Sequence, residues 1–173
     1  MLKFALIGTG RIGRMHGSII ADHTKTELVW VYDIFEDNAI NTAKTTQARV
    51  AKSLDEIFED DSINAILIAS STETHAELIV RAAKAGKAVF CEKPIDLDIK
   101  RVDWCREQIQ GLQVPVQIGF NRRFDPSHRK VADTAKDGGI GNLEQVIITS
   151  RDPNPPPKEY YLAAGGMFRD MTI

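Results

Sequence analysis

Gly8-Thr9-Gly10-Arg11-Ile12-Gly13 is the stretch whose reading decides the fold. It has G-x-G-x-x-G spacing. An apolar run, Lys3–Ile7, precedes it, and Ile12, Met15, His16, Ile19 and Ile20 follow at the spacing of one buried helix face. A strand, a glycine turn and a helix in that order form the fingerprint of a pyrophosphate-binding turn. The first glycine allows the tight turn, the second lets main chain approach the phosphates, and the third lets helix pack close on strand. The helix start offers unpaired N–H groups and a partial positive charge. Gly8, Gly10, Arg11, Ile12 and Gly13 are therefore candidate cofactor residues. The Arg11 side chain reaches either the pyrophosphate or solvent.

Asp33 extends this reading. It ends a second apolar run, Leu28–Tyr32, 20 residues past Gly13. A carboxylate there accepts hydrogen bonds from the adenosine ribose and repels a 2′-phosphate, which favours NAD over NADP. No Arg or Lys stands beside it, since Ile34, Phe35 and Glu36 follow.

Further apolar runs lie at Ala65–Ala69, Ala88–Cys91 and Val114–Gly119, with a short candidate at Arg49–Ala51. Runs apolar on both faces suit buried parallel strands. Helical patterns separate them. Ser53-Leu54-Asp55-Glu56 and Thr74-His75-Ala76-Glu77 both have capping-box form. The helix after Thr74 presents Ala76, Ile79, Val80 and Ala83 and stops at Gly86. Another spans Leu97 to Ile109 and ends at Gly111. This alternation predicts an α/β fold with a doubly wound parallel sheet over residues 1–120. Ligands of such sheets bind where the strands end, so the loops after Ile7, Tyr32, Ala69, Cys91 and Gly119 matter most.

Beyond Gly119 the pattern changes. Asp125-Pro126 reads as a helix cap with proline in the first turn. The helix runs to about Lys136, before Gly138-Gly139. Leu143–Thr149 reads as a strand, and Asp152-Pro153-Asn154-Pro155-Pro156-Pro157 as a rigid extended loop. Residues 121–173 are thus expected to begin a second, α+β domain.

Composition excludes several classes. With 173 residues, 43% hydrophobic and 27% charged, the chain is globular and not disordered. A net charge of -2 gives no overall pull toward nucleic acid or acidic membranes. No apolar run approaches the roughly 20 residues needed to span a bilayer. Cys91 and Cys105 cannot form a disulfide framework, and thiols in a reducing cytoplasm are the expectation. No metal is expected.

The later loops carry further candidates. Ser70, Ser71 and Thr72 offer hydroxyls to a cofactor or to turn and cap chemistry. His75, in the first turn of its helix, is either a cofactor contact or a structural residue. Glu92-Lys93-Pro94 follows the fifth strand at the ligand edge. A lysine there can hydrogen-bond a substrate hydroxyl and favour its deprotonation. Cys91 reads as a buried strand residue and not as a nucleophile.

Together the glycine motif with Asp33, Thr74-His75-Ala76-Glu77 and Glu92-Lys93-Pro94 resemble the glucose–fructose oxidoreductase / inositol dehydrogenase (Gfo/Idh/MocA) superfamily. Gln117-Ile118-Gly119-Phe120-Asn121-Arg122-Arg123-Phe124-Asp125-Pro126 is similar to that family's passage into its second domain. Ser150-Arg151-Asp152-Pro153 and Gly165-Gly166-Met167-Phe168-Arg169-Asp170-Met171-Thr172-Ile173 resemble its inositol 2-dehydrogenase branch.

The resemblance implies an NAD-dependent enzyme moving a hydride between a cyclitol or sugar hydroxyl carbon and NAD+. It makes Lys93 the catalytic lysine and Asp170 the catalytic carboxylate, which orients a histidine one helical turn later. Glu92 and Lys93 would touch the cofactor, and Asn121, Arg122, Asp152 and Thr172 a polyol or sugar. Ser71 stands where many relatives have proline, and Asn121 replaces a frequent methionine. Position 174, where the histidine is expected, lies past Ile173, so the chain is expected to be an inactive N-terminal fragment of a homo-oligomeric enzyme, a dimer or tetramer. The tail from Met167 to Ile173 is then expected to lack packing partners. The alternatives are a dehydrogenase of another sugar and a non-catalytic NAD-binding module.

Overall fold

Each apolar run is followed by a helix that returns the chain to the same sheet edge, so all six strands run parallel. The computed structural model describes residues 1–151 together with Asn154, Gly165 and Gly166. The strands are β1 (Leu2–Ile7), β2 (Thr26–Tyr32), β3 (Arg49–Val50), β4 (Ala65–Ile68), β5 (Ala88–Cys91) and β6 (Val116–Ile118). The helices between them are α1 (Arg11–Asp22), α2 (Glu36–Thr46), α3 (Leu54–Phe58), α4 (Thr72–Lys84) and α5 (Ile99–Ile109). The sheet order is β3-β2-β1-β4-β5-β6. Strand order therefore reverses between β1 and β4, the point where doubly wound sheets bind ligands.

Strand alternation divides the core in two. Ala5, Ile7, Ile66, Ile68, Val89 and Cys91 face α3, α4 and α5, whereas Leu6 and Leu67 face α1 and α2. The β1–β2 register slips once, with Phe4 opposite Leu28 but Ala5 opposite Trp30. Val29 is the extra residue of this bulge, and Leu28 and Val31 consequently share one face.

Two helices depart from the sequence pattern. The buried face of α1 is Gly13, Gly17 and Ile20; Met15 is 48% and Ile19 57% exposed. A Cβ on Gly17 would lie 3.2 Å from Leu6 Cδ2, so small residues bring this helix onto the sheet. Ser53 does cap α3 by accepting the Glu56 N–H. Thr74, however, is not a cap, because α4 starts at Thr72 after Ser71 and encloses it. Its hydroxyl donates to the Ser71 carbonyl instead.

The chain divides into two units, Met1–Gly119 and Phe120–Ile173. The second holds a 3-10 helix, Asn121–Phe124, and α6 (Pro126–Lys136), capped by the Asp125 carboxylate accepting the His128 N–H at 2.9 Å. Leu143–Thr149 is not a strand; its residues are exposed and pair with no ladder among the described residues. Unpaired, an apolar run has no strand geometry to hold. The proline loop, apart from Asn154, and the Met167–Ile173 tail lie outside the described residues. Among the described residues no helix is long and apolar enough to cross a membrane.

Candidate dinucleotide site

Four strands deliver their loops to one level by extending the ladder one residue past their ends. The Gly8 N–H donates to Tyr32 O at 2.8 Å, Ala69 to Ile7 O at 2.8 Å, Glu92 to Ile68 O at 2.9 Å and Gly119 to Cys91 O at 2.8 Å.

The three glycines of the first loop answer to three different demands. Gly8 has φ +89°, and a Cβ on it would lie 2.3 Å from the Ser70 nitrogen. A Cβ on Gly13 would lie 1.9 Å from the Gly8 carbonyl oxygen. Both are therefore required by the fold itself. Gly10 is exposed, and a Cβ on it would meet nothing within 4 Å. It is also the residue before α1, where no side chain caps the helix and no acidic residue stands in the first turn. The open main chain at Gly10 and the uncapped amides beyond it leave room and donors for an anionic group. A pyrophosphate fits this cradle. Arg11 beside it is exposed, and Ile12 is half-buried.

Thr9, which the motif leaves unspecified, is fully buried and bound to Asp33. Asp33 Oδ2 accepts the Thr9 N–H at 2.7 Å and its hydroxyl at 3.0 Å. Asp33 Oδ1 accepts the Phe35 N–H at 2.9 Å. The carboxylate thus ties the glycine turn to the end of β2 and retains lone pairs toward solvent.

At the end of β4, the Thr74 hydroxyl donates to Ser71 O at 2.7 Å, so the Ser70 hydroxyl must donate to Thr74 Oγ1 at 2.7 Å. Ser71 is exposed and bonds no α4 amide through its side chain. His75 is 2% exposed, with Nδ1 2.8 Å from Pro94 O and Nε2 3.0 Å from Ser70 O. Its ring has no nitrogen left for a cofactor, and the contact reading gives way to a structural one.

The Glu92-Lys93-Pro94 turn follows β5, and its Lys93–Pro94 bond is cis. Glu92 Oε1 lies 2.7 Å from His16 Nε2 on α1, and Oε2 accepts the Lys93 N–H at 3.3 Å. Burial pushes the Glu92 carboxyl upward, but the His16 hydrogen bond and charge outweigh it and hold the group below its ordinary value. The His16 ring also meets Phe90 edge to face, 5.4 Å between centroids. His16 and Thr9 are the residues that sequence reasoning missed. Both lie inside patterns already accounted for, a helix stripe and a motif's variable position. Cys91 is fully buried, and burial pushes its thiol far up, which suits a core residue and not a nucleophile.

Asn121 and Arg122 lie on the 3-10 helix of the second unit, both exposed. Asp152, Asp170 and Thr172 lie outside the described residues. No group of three His, Cys, Asp or Glu suited to a metal occurs among the described residues.

Residues 2–120 match the family described as an oxidoreductase family with an NAD-binding Rossmann fold, GFO_IDH_MocA. The chain belongs to the Gfo/Idh/MocA family. Within it, the chain is similar to inositol 2-dehydrogenase of Rhizobium meliloti strain 1021, at 45% identity over 99% of this chain and 52% of the relative. It resembles the crystal structure of a myo-inositol dehydrogenase from Corynebacterium glutamicum, with TM-score 0.91 and 47% identity, over 99% of this chain and 52% of that one. It also resembles scyllo-inositol dehydrogenase from Lactobacillus casei with bound NAD(H) and scyllo-inositol, with TM-score 0.77 and 31% identity, over 82% and 43% of the two chains. The chain thus spans about half the length of the curated Gfo/Idh/MocA relatives it matches.

Proposed function

We propose that the chain is the cofactor-binding half of an NAD-dependent dehydrogenase acting on a hydroxyl of inositol or a related cyclitol or sugar. The observation that carries this is Gly10, a glycine that no neighbour among the described residues requires, beside an uncapped helix start. The names of the inositol dehydrogenases it resembles support the substrate class.

Gly8, Gly10, Arg11, Ile12 and Gly13 hold the pyrophosphate. Asp33 takes the adenosine ribose and disfavours NADP. Ser70 and Ser71 line the same edge. When bound, NAD+ accepts the hydride. Lys93 hydrogen-bonds the nicotinamide ribose and the reacting hydroxyl, where its charge favours loss of the proton. Asp170 is the catalytic carboxylate. Asn121, Arg122, Asp152 and Thr172 recognise the polyol. The enzyme works as a homo-oligomer in a reducing cytoplasm, in keeping with two free cysteines.

Calorimetric titration with NAD and NADP tests the reading. NAD is expected to bind more tightly, and Asp33→Asn is expected to narrow the gap to within about tenfold. Binding of neither nucleotide overturns the assignment. Activity on myo- and scyllo-inositol, measured on the chain joined to the remainder found in its relatives, tests the substrate class.

A further inference from the structure

Lys93 lies between two neighbours, and each is tied to an imidazole from a different helix. On one side, Glu92 meets His16 of α1. On the other, the Pro94 carbonyl meets His75 of α4. A carboxylate and a carbonyl can only accept, so His16 Nε2 donates to Glu92, and of the two carbonyls against His75 the nearer, Pro94 O at 2.8 Å against 3.0 Å for Ser70 O, takes the Nδ1 proton. The contacts are sheltered: the His16 and Glu92 side chains are 17% and 21% exposed, and His75 is 2% exposed. Sheltered bonds of this kind hold their partners more firmly than bonds in water.

The two helices begin at the other two ligand loops. His16 lies in α1, which starts at Arg11 within the Gly8–Gly13 stretch. His75 lies in the first turn of α4, and its other nitrogen lies 3.0 Å from the Ser70 carbonyl. Three loops that follow three different strands are thus joined through two histidines to the residues flanking Lys93. Neither ring meets a carboxylate of its own helix in these bonds; both cross to the turn after β5.

We infer that His16 and His75 are positioning residues that fix the Glu92-Lys93-Pro94 turn from both sides and so set where the Lys93 ammonium stands. The inference rests on the proposed contact between Lys93 and the nicotinamide ribose. Neither histidine touches the reacting atoms. Their effect reaches the cofactor through Lys93, and it falls on the nicotinamide half of the dinucleotide and not on the adenosine half.

The test is the ratio of NAD to ADP affinity, measured by calorimetry on the 173-residue chain. ADP contains the adenosine and both phosphates but lacks the nicotinamide ribose. His16→Leu and His75→Leu are each expected to lower the ratio about tenfold while ADP affinity holds. His16→Gln places an amide N–H near the position of Nε2, and His75→Asn places one near Nδ1. Both are expected to restore the ratio to within about threefold of wild type. An unchanged ratio in the leucine variants overturns the inference. So does a proportional fall in ADP affinity, or an equal loss in the amide variants. A wild-type chain that binds NAD no better than ADP overturns the Lys93 contact itself, a result distinct from the others. Nitrogen-15 imidazole spectra of the wild-type chain provide a readout that needs no variant to fold. Protons are expected on Nε2 of His16 and Nδ1 of His75, and either nitrogen found bare overturns the assignment.

Discussion

The turn after β1 and the turn after β5 sit on the same sheet edge, yet they are built by opposite means. The first is held by main chain: Gly8 against the Ser70 backbone, Gly13 against the Gly8 carbonyl. The second is held by side chains, through His16 and His75. Close main-chain fit leaves no tolerance for added atoms, whereas side-chain bonds can be replaced by others of similar reach. A phosphate-binding turn needs bare backbone. A turn presenting a charged side chain needs that side chain aimed.

Gly13→Ala is the hardest blow to the main-chain turn. Its methyl would overlap the Gly8 carbonyl, and a loss of about 3 kcal/mol or more is expected in urea unfolding. A loss below about 1 kcal/mol would show that the turn yields. Gly10→Ala sharpens the contrast within the same turn. Stability should stay within about 0.5 kcal/mol, because the added methyl meets nothing. NAD affinity should fall about tenfold or more.

Glu92→Gln probes the side-chain turn and should cost about 1 kcal/mol near neutral pH, since one partner of a charged bond becomes neutral. The carboxyl is held below its ordinary value in the folded chain. Its contribution is therefore present above the ordinary carboxylate range and is lost as pH falls through the lowered value. The gap between wild type and variant should close on acidification.

Trp30→Phe gives the smallest effect and lies away from both turns. Asp60 is held at about 2 by a hydrogen bond to Ser62 and then by the Trp30 indole, which donates to it at 2.8 Å. Its contribution is present above about pH 4 and lost as pH falls toward about 2. The variant should lose stability mainly above that window and leave NAD affinity unchanged.

The sheet was legible because its strands carry apolar residues on both faces and read as apolar runs. Ala65–Ala69 and Ala88–Cys91 are examples, and the observed strands agree to within two residues. The glycine turn was legible because its spacing is fixed within six consecutive residues. The α1 face was misread because Gly13 and Gly17 pack by being small, which no count of apolar residues registers. The His16–Glu92 pair joins positions 76 residues apart, and nothing local marks it. Leu143–Thr149 shows the converse, a strand-like run with no neighbour to pair.

Cys91 immediately precedes the Glu92-Lys93-Pro94 turn and is fully buried, and Cys105 on α5 is 2% exposed. Neither thiol can meet a reagent while the sheet and the helices on this face stay closed. Their rate of modification is therefore a built-in clock for opening of that face. A bound dinucleotide that stabilises the closed state should slow this clock in proportion to its occupancy. The same two buried sulfur atoms would then report, without any added probe, whether the neighbouring site is filled.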